Sequence, residues 1–551
     1  MHYRQVFFKT RILIMRSYLS RRPAILISVV FICFLMAVAC MSHHFRSNYK
    51  SANRLLYENA YMENPPFLKA HLNSGDVCIF EDNWEVDKKL DVVEGHGTRY
   101  DFNRKKVYQG DIAVPFDSVA IFETNKNPGE MESNRIRALS IMATLDAAMG
   151  VFCLANPKAC FGSCPTFYIE EDRTVHAADA EGFSSAILPS LEYADIDALN
   201  IQCCPGDTFS VVMKNEALET HCVKQLKLLA CTIGDGCRVY QSPDNEFYLC
   251  EGQIPVKKAI GPEGNATSQL LQSDKKERIS LADKDDLSTR EEIFLEFQGV
   301  EGSGDLGLVI GFRQTLMTTY LIYSAMGYMG ERVGDIFADI ERAQQAKGEF
   351  FSGLKRALGD IDVYMWNEQN GMWELQGGFY ETGPIAVNHQ ILPLVKENRG
   401  SQVRVKVVLN KGLWRLDYMA LTHMIKKIEP MEVEPDSIVI HGKPDSLKLD
   451  RLHAPNRYLV SLPGNRYRLC FTLPETRYDC ELFLYSKGYY LEWMRESWLK
   501  DKNLIKLRQM HKNTEKYLEK EAEFYKDYEK TMEKVFWNTR LDTKNFPSYE
   551  K

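Results

Sequence analysis

At roughly 150 residues per domain, the 551-residue chain is long enough to form several domains. Hydrophobic residues make up 45% of the chain and charged residues 26%, which excludes a collagen-like, a disordered and a polytopic membrane protein. The net charge is −7, and without the first 39 residues, which hold six Arg or Lys and no acid, the chain has 62 basic and 75 acidic residues. This excess of acidic residues after position 39, with no basic tract, argues against nucleic acid as a partner.

The N-terminus carries an apolar segment with the features of an export signal. Residues 23–41 are apolar, follow Arg21 and Arg22, and include the small residues 37–39 just before Cys40. This arrangement resembles the bacterial lipoprotein signal, in which the chain is cut before a cysteine that then carries lipid. The resemblance implies that residues 1–39 are removed and that Cys40 is the lipid attachment site, although Ala37 stands where the family usually has Leu.

Two alternatives remain for the same segment. It could be an uncleaved signal-anchor helix, because about 20 apolar residues can span a bilayer, or it could be a buried helix. Translation from Met15 would shorten the basic leader to an ordinary signal length, so Met15 is a candidate true start. The lipoprotein signal and the uncleaved signal anchor both predict that the residues after this segment are exported, with residues 40–66 as a polar tether.

The body is predicted to be α+β and predominantly β, in several domains. Residues 67–155 are expected to form a small β meander followed by a helix over 129–155, and residues 156–251 a cysteine-containing β-rich domain. Residues 252–292 read as a polar linker. Its acidic run at 283–286 lacks the remaining ligands of a calcium loop.

Residues 293–425 show the clearest strand pattern. Val403, Val405 and Val407 alternate with charged residues, and a hairpin signal at Asn370 and Gly371 separates two apolar runs. With a helical insertion over 315–358, this pattern resembles a jelly-roll sandwich of the galactose-binding type. Residues 426–487 are expected to be β-rich, and residues 488–551 to form a long amphipathic C-terminal helix that packs on the body.

Twelve cysteines remain after Cys33 in the signal and Cys40. In an exported chain, Cys160 with Cys164 and Cys470 with Cys480 are candidate disulfide pairs. A redox function at Cys160 and Cys164 would require an exposed thiol with a lowered pKa. No metal-ligand spacing and no cofactor motif is present, so we expect neither a metal nor a cofactor.

No catalytic residue can be assigned from the sequence. Phosphate-binding, zinc-protease and nucleophile-elbow motifs are missing. The neighbours His221 and Cys222 would point to opposite faces of a strand, which places them badly for sharing a proton. Trp366, Trp373 and Trp414 are candidates for stacking on a sugar, and core packing is the alternative interpretation.

Several segments resemble an uncharacterised family of bacterial cell-envelope lipoproteins. They include NPKACFGSCPTFY at 156–168, EGFSSAILPSLEYADIDALN at 181–200, GLWRLDYMAL at 412–421 and ELFLYSKGYYLEWMRESW at 481–498. The resemblance implies a lipid-anchored envelope protein, at the outer membrane rather than the inner one, and no particular activity. We therefore expect a protein that binds or scaffolds, with a glycan or another envelope protein as partner. The alternative is an envelope enzyme acting on glycans, with the sandwich as an accessory carbohydrate-binding module.

Overall fold

The computed structural model describes His43–His44, Ser47–Asn48 and, with short gaps, residues 68–123, 164–169 and 178–540. The expected signal segment, Cys40, the expected helix over 129–155 and Cys160 lie outside the described residues. The chain is 50% strand and 20% helix, with several antiparallel sheets. These proportions confirm the expected predominantly β, multidomain fold.

The strands follow one another along the whole described chain. In chain order they are β1 (His43–His44), β2 (Ser47–Asn48), β3 (Lys69–Leu72), β4 (Val77–Asp87), β5 (Val92–Tyr100), β6 (Lys106–Pro115), β7 (Val119–Glu123), β8 (Thr166–Tyr168), β9 (Ala180–Glu181), β10 (Tyr193–Cys203), β11 (Thr208–Lys214), β12 (Glu219–Thr232), β13 (Cys237–Gln241), β14 (Phe247–Pro255), β15 (Lys258–Gly261), β16 (Gly264–Asn265), β17 (Arg278–Ile279), β18 (Arg290–Gln298), β19 (Asp305–Gln314), β20 (Ile361–Asn367), β21 (Met372–Phe379), β22 (Asn388–Leu394), β23 (Gln402–Asn410), β24 (Trp414–Ile428), β25 (Met431–Val433), β26 (Ser437–Ile440), β27 (Lys443–Pro444), β28 (Leu459–Ser461), β29 (Arg466–Thr472), β30 (Cys480–Glu492) and β31 (Met494–Arg495).

The described helices are short and fall in four stretches of the chain. They are α1 (Thr267–Leu270), α2 (Met317–Met329), α3 (Val333–Arg342), α4 (Glu349–Leu358), α5 (Ser446–His453), α6 (Leu504–Lys512), α7 (Thr514–Glu529) and α8 (Met532–Thr539). Helices α2–α4 form the expected insertion between β19 and β20. Helices α6–α8 are the expected C-terminal helix, divided into three segments. None of the described helices has both the length and the apolar character needed to cross a membrane.

An N-terminal sheet has the strand order β2-β7-β3-β4-β5-β6 and a core of its own, which includes Phe80, Trp84 and Phe122. It contacts the rest of the protein through buried polar groups. The Nδ1 atom of His71 lies 2.6 Å from the hydroxyl oxygen of Tyr489 on β30.

A first sandwich is built from two sheets. One has the order β27-β26-β29-β11-β8-β9, and the other has the order β10-β30-β12-β25, with β28 also paired to β12. Alternate residues of β29, such as Leu469 and Phe471, are buried and share a core with Leu228 and Leu484 of the second sheet. This period-two burial is what a strand with one core face requires.

The second sandwich contains the strands for which a jelly-roll pattern was expected. Its outer sheet has the order β16-β15-β18-β23-β20-β21. After β18 the chain alternates between this sheet and an inner sheet, to which it contributes β19, β22 and β24. Leu295 and Val405 of the outer sheet share a core with Leu308 and Leu421 of the inner strands. Residues 252–292, expected to be a linker, instead supply β15–β17 and α1 to this sandwich.

The inner strands also close into a ring. The ladder runs β13-β14-β24-β19-β22, and β22 returns to β13 through one parallel pair, Gln241 with Gln390. The second face of these strands forms a separate apolar cluster that includes Tyr240, Val309 and Tyr418. This five-stranded barrel brings the start of β22 next to β10 of the first sandwich, where the side chain of Asn388 hydrogen-bonds to the backbone of Ala198 and Ile196.

Candidate functional site

The three tryptophans proposed for sugar stacking lie in two different environments. Trp414 is 1% exposed and packs 5.9 Å from Phe312 between ring centroids, so its ring is in the core and unavailable to a ligand. Trp366 and Trp373 are half-buried and face each other across β20 and β21 at 5.3 Å. The Arg404 guanidinium lies 4.7 Å from the Trp366 ring centroid, which covers part of that ring.

Of the two proposed cysteine pairs, Cys160 with Cys164 stays a prediction because Cys160 lies outside the described residues, and Cys470 with Cys480 is not formed. Cys470 lies on β29 and Cys480 on β30, in opposite sheets of the first sandwich, and both are free thiols. Cys164 is buried, and its thiol donates a hydrogen bond to Oε1 of Glu181 at 2.8 Å. Burial raises the pKa of the Cys164 thiol, and this is the opposite of what a redox cysteine requires.

His221 and Cys222 are both buried on β12. His221 is fully buried, and its Nε2 lies 2.9 Å from Oε1 of Glu219, two residues away on the same face of β12. Burial lowers the pKa of His221 to about 3, so the ring is neutral at pH 7. Both residues are part of the sheet core.

A cavity of about 620 Å³ opens where the barrel meets the first sandwich. Its lining comes from β10, β13, β14, β22, β24, the segment after α1 and the β8–β9 connection. The polar lining residues are Asp179, Asn200, Arg238, Tyr240, Gln253, Gln272, Ser273, His389, Asp417 and Tyr418. Its size and its mixture of apolar walls with convergent polar groups are typical of small-molecule sites.

Irregularities in three strands direct side chains towards this cavity. The β10–β30 ladder is interrupted between Ala198 and Gln202, and Asn200 within that bulge has a φ of 54°. Asp417 on β24 is skipped in the register with β19, which pairs Leu416 and Tyr418 with consecutive residues. Gly252 on β14 is skipped in the register with β24, just before Gln253. Bulges of this kind redirect side chains and are frequent next to functional sites.

Four of the polar side chains form a continuous hydrogen-bonded chain. Nδ2 of Asn200 lies 3.1 Å from Nδ1 of His389, and Nε2 of His389 lies 3.1 Å from Oγ of Ser273. Oγ of Ser273 in turn donates to Oδ2 of Asp417 at 3.0 Å. Gly311 permits this arrangement, because a Cβ atom at that position would lie 2.8 Å from Nε2 of His389.

The direction of this chain follows from its first member. Nδ2 of Asn200 also donates to the carbonyl oxygen of Ala198 at 3.1 Å, which identifies the nitrogen end of the amide. Nδ1 of His389 therefore accepts, and Nε2 carries the proton and donates to Ser273. Burial lowers the pKa of His389 to about 4, so the ring remains neutral near pH 7.

Serine, histidine and aspartate are thus together, but not in the order of a catalytic triad. In a triad the histidine lies between the other two residues and accepts the serine proton. Here Ser273 lies between His389 and Asp417, and the histidine nitrogen next to it is already protonated. The arrangement fixes three side chains at the cavity wall and does not activate Ser273 as a nucleophile.

The opposite wall of the cavity is held by aromatic and amide groups. Nε2 of Gln253 donates to the hydroxyl of Tyr240 at 2.7 Å, and the hydroxyl of Tyr418 donates to Oε1 of Gln253 at 3.1 Å. Arg238 makes a bidentate contact with Glu481, the shortest at 2.6 Å. The Glu481 carboxylate pairs with Arg238 and so offsets its positive charge at the cavity.

An acidic cluster lies on β9 and the first half of β10, with Glu181 and Asp197 buried and Asp195 half-buried. Backbone N–H groups of Glu181, Ile385 and Ala386 satisfy the carboxylates of Asp197 and Glu181. Burial, followed by the charge of Glu181, raises the pKa of Asp195 to about 7. Burial also raises the pKa of Asp197 and of Glu181. Despite its acidity, this cluster does not have the geometry of a metal site, and no other group of described residues has it either.

None of the cavity residues was singled out from the sequence. They come from seven segments between residues 169 and 418, and none follows a recognised motif. The available signals were local breaks in strand patterns, such as Asn200 and Gly252, which predict bulges without showing what the bulges face.

Comparison with known proteins adds little to this description. No family model matches the chain. No curated protein matches it. Among solved structures, a GH31 alpha-xylosidase from Xanthomonas citri is similar at 9% identity over 78% of this chain and 37% of the other, with a TM-score of 0.14. The chain therefore spans little more than a third of that enzyme's length, and a TM-score this low carries no argument about fold or activity.

Proposed function

We propose that this protein is a lipid-anchored binding protein of the bacterial cell envelope that holds a small, neutral, polyhydroxylated ligand in the barrel cavity. The observation that carries the binding function is the hydrogen-bonded chain from Asn200 to Asp417, which positions polar groups at the cavity wall without activating a nucleophile. The envelope location is supported by the signal-like segment before Cys40.

The ligand class follows from the lining. Amide and carboxylate groups such as Gln272, Gln253 and Asp179 can form paired hydrogen bonds with neighbouring hydroxyl groups. The rings of Tyr240 and Tyr418 offer apolar surface with a polar tip. Since Arg238 is neutralised by Glu481 and two aspartates line the cavity, an anionic ligand such as a sugar phosphate is disfavoured. A neutral mono- or disaccharide fits this chemistry.

Isothermal titration of the purified full chain with neutral mono- and disaccharides tests the ligand class, with sugar phosphates as the comparison. Gln253→Ala removes an amide that contacts both tyrosines, and we expect it to weaken binding about tenfold or more, as the loss of one or two hydrogen bonds implies. Gln298→Ala is the matched control, because Gln298 is exposed on β18 and outside the cavity. No saturable binding to any neutral sugar, or equal affinity in both variants, would contradict the proposal.

Mass spectrometry of the mature N-terminus tests the anchor separately. We expect Cys40 to be the first residue and to carry a diacyl or triacyl modification, and Cys40→Ser to remove it. Recovery of intact residues 15–39 in the membrane fraction would favour the uncleaved anchor instead. An unmodified full chain free in the cytoplasm would contradict both.

An enzyme acting on glycans is the second candidate, and one observation favours it. Asp179 and Asp417 both line the cavity, and glycosidases use pairs of carboxylates. Incubation with chromogenic glycosides distinguishes the two functions. Turnover that is lost in both Asp179→Asn and Asp417→Asn would establish the enzyme, whereas sugar binding without turnover supports the binding protein.

A further inference from the structure

Two cysteines lie directly opposite each other on neighbouring strands of the first sandwich. Cys203 is the last residue of β10 and Cys480 is the first residue of β30, and the two are register partners in the antiparallel ladder. They are far apart in the sequence, so their spacing does not predict a pair. Cys470, the partner that the sequence suggests for Cys480, lies in the other sheet.

We propose that Cys203 and Cys480 form a structural disulfide when the chain is in an oxidising compartment. Direct partners on antiparallel strands have Cα atoms about 4.5–5.5 Å apart and side chains on the same face. That distance lies within the range of about 4.4–6.8 Å found for disulfides. The bond therefore needs rotation of two side chains and no movement of the strands.

The other cysteines of this region do not meet the same condition. Cys237 is opposite Glu251, and Cys250 is opposite Arg238, so Cys237 and Cys250 are neighbours whose side chains point to opposite faces. Cys231 is opposite Glu481 rather than Cys480, which places it on the other face from Cys480. Among the described cysteines that pair within ladders, only Cys203 and Cys480 are opposite one another.

The different exposure of the two thiols predicts which of them reacts first with an oxidant. Cys480 is buried, whereas Cys203 is half-buried and can be reached by a small oxidant. With oxidised glutathione, the Cys203 thiolate attacks one sulfur, releases one glutathione and forms a mixed disulfide. The Cys480 thiolate then displaces the second glutathione. Two thiols lose two protons and two electrons, and one oxidised glutathione becomes two reduced molecules.

The bond would stabilise one end of a functional strand. Cys203 is three residues after Asn200, and the β10 bulge lies between the ladder that ends at Ala198 and the pair Cys203–Cys480. A covalent link at this position fixes the C-terminal end of the bulge to β30, and the ladder that ends at Ala198 holds the other end.

Peptide mapping of the full chain tests the proposal. The protein is equilibrated with oxidised glutathione, remaining thiols are blocked with N-ethylmaleimide, and the digest is analysed without reductant. We expect a linked peptide pair containing Cys203 and Cys480, lighter by two hydrogens than the separate peptides and separated by dithiothreitol. Blocked thiols at both positions, or a bond from Cys480 to the exposed neighbour Cys204, would overturn it.

Variants give an independent readout. Cys203→Ser is expected to leave Cys480 as a thiol and to lower the melting temperature measured under oxidising conditions to that of the reduced protein. Cys470→Ser is the matched control and should retain both the linked peptide and the oxidised melting temperature. Equal melting temperatures for the oxidised and reduced wild type would overturn the structural role. The outcome is independent of ligand binding.

Discussion

Asn200 and His389 come from different sandwiches and meet at 3.1 Å between the amide nitrogen of one and Nδ1 of the other. Asn388, next to the histidine, reinforces the same junction, because its amide contacts the backbone of both Ala198 and Ile196 on β10. The cavity thus depends on the junction between the two sandwiches as much as on the barrel itself. The following predictions address this region and the packing that supports it.

Replacing His389 should change the dependence of stability on pH. Burial lowers its folded-state pKa to about 4 from an ordinary value of 6.5, so the unfolded chain takes up the proton first as the pH falls. The stabilisation is complete above about pH 6.5 and is lost as the pH falls towards 4, by about 3 kcal/mol for this group. Urea unfolding at several pH values should show a shallower loss in His389→Gln than in the wild type. Parallel profiles would contradict the neutral, buried ring.

Asp195 should affect the pH dependence of stability in the opposite direction to His389. Its pKa is raised to about 7 from 3.8, so the folded state holds its proton more tightly than the unfolded state. Stability from this group is complete below about pH 4 and is lost as the pH rises to 7. We expect Asp195→Asn to be more stable than the wild type by about 1–3 kcal/mol at pH 8, with no such gain at pH 4. Asp305→Asn, at an exposed position on β19, is the control and should leave the profile unchanged.

Gly311 should not tolerate a side chain. An added Cβ atom would lie 2.8 Å from Nε2 and 3.1 Å from Cδ2 of His389, so the ring would have to move away from Ser273. We expect Gly311→Ala to cost about 1–3 kcal/mol of stability and to weaken sugar binding. Gly234→Ala is the control, because the nearest atom to its added Cβ is 3.9 Å away. Calorimetry and titration measure both effects, and equal behaviour of the two variants would exclude the close contact.

The C-terminal helices should depend on one buried hydrogen bond. The Tyr320 hydroxyl on α2 donates to Oε1 of Glu521 on α7 at 2.6 Å, and both side chains are buried. Tyr320→Phe removes the donor and should destabilise the protein by about 1–3 kcal/mol in denaturant unfolding. Tyr528→Phe keeps the ring that stacks 5.0 Å from Tyr320 and should cost less. A cost for Tyr528→Phe equal to or larger than that for Tyr320→Phe would contradict a particular role for the bond from Tyr320 to Glu521.

The sequence was informative where burial follows a simple period. The alternation at Val403, Val405 and Val407 is buried residue by residue in β23. The hairpin signal at Gly371, where φ is 65°, joins β20 to β21 as expected. These features depend on residues close together in the chain, so local composition predicts them.

The cavity could not be predicted for a physical reason. His389 and Ser273 are 116 positions apart, and their contact depends on how the barrel closes against the first sandwich. Trp414 shows the same limitation, because composition identifies an aromatic residue and only packing decides whether its ring is in the core. The composition of residues 252–292 is polar enough for a linker, yet they include short strands at or next to a sheet edge, β15–β17, whose outward faces are polar.

The barrel closes through a single parallel pair, Gln241 with Gln390, whereas its other neighbours share long antiparallel ladders. This closure is therefore the weakest seam of the ring, and brief separation of β13 from β22 requires the loss of few backbone hydrogen bonds. Because Tyr240 and His389 adjoin that seam and line the cavity, such separation would widen the cavity at this point. Amide protons at the seam should exchange with solvent sooner than those in the middle of β19.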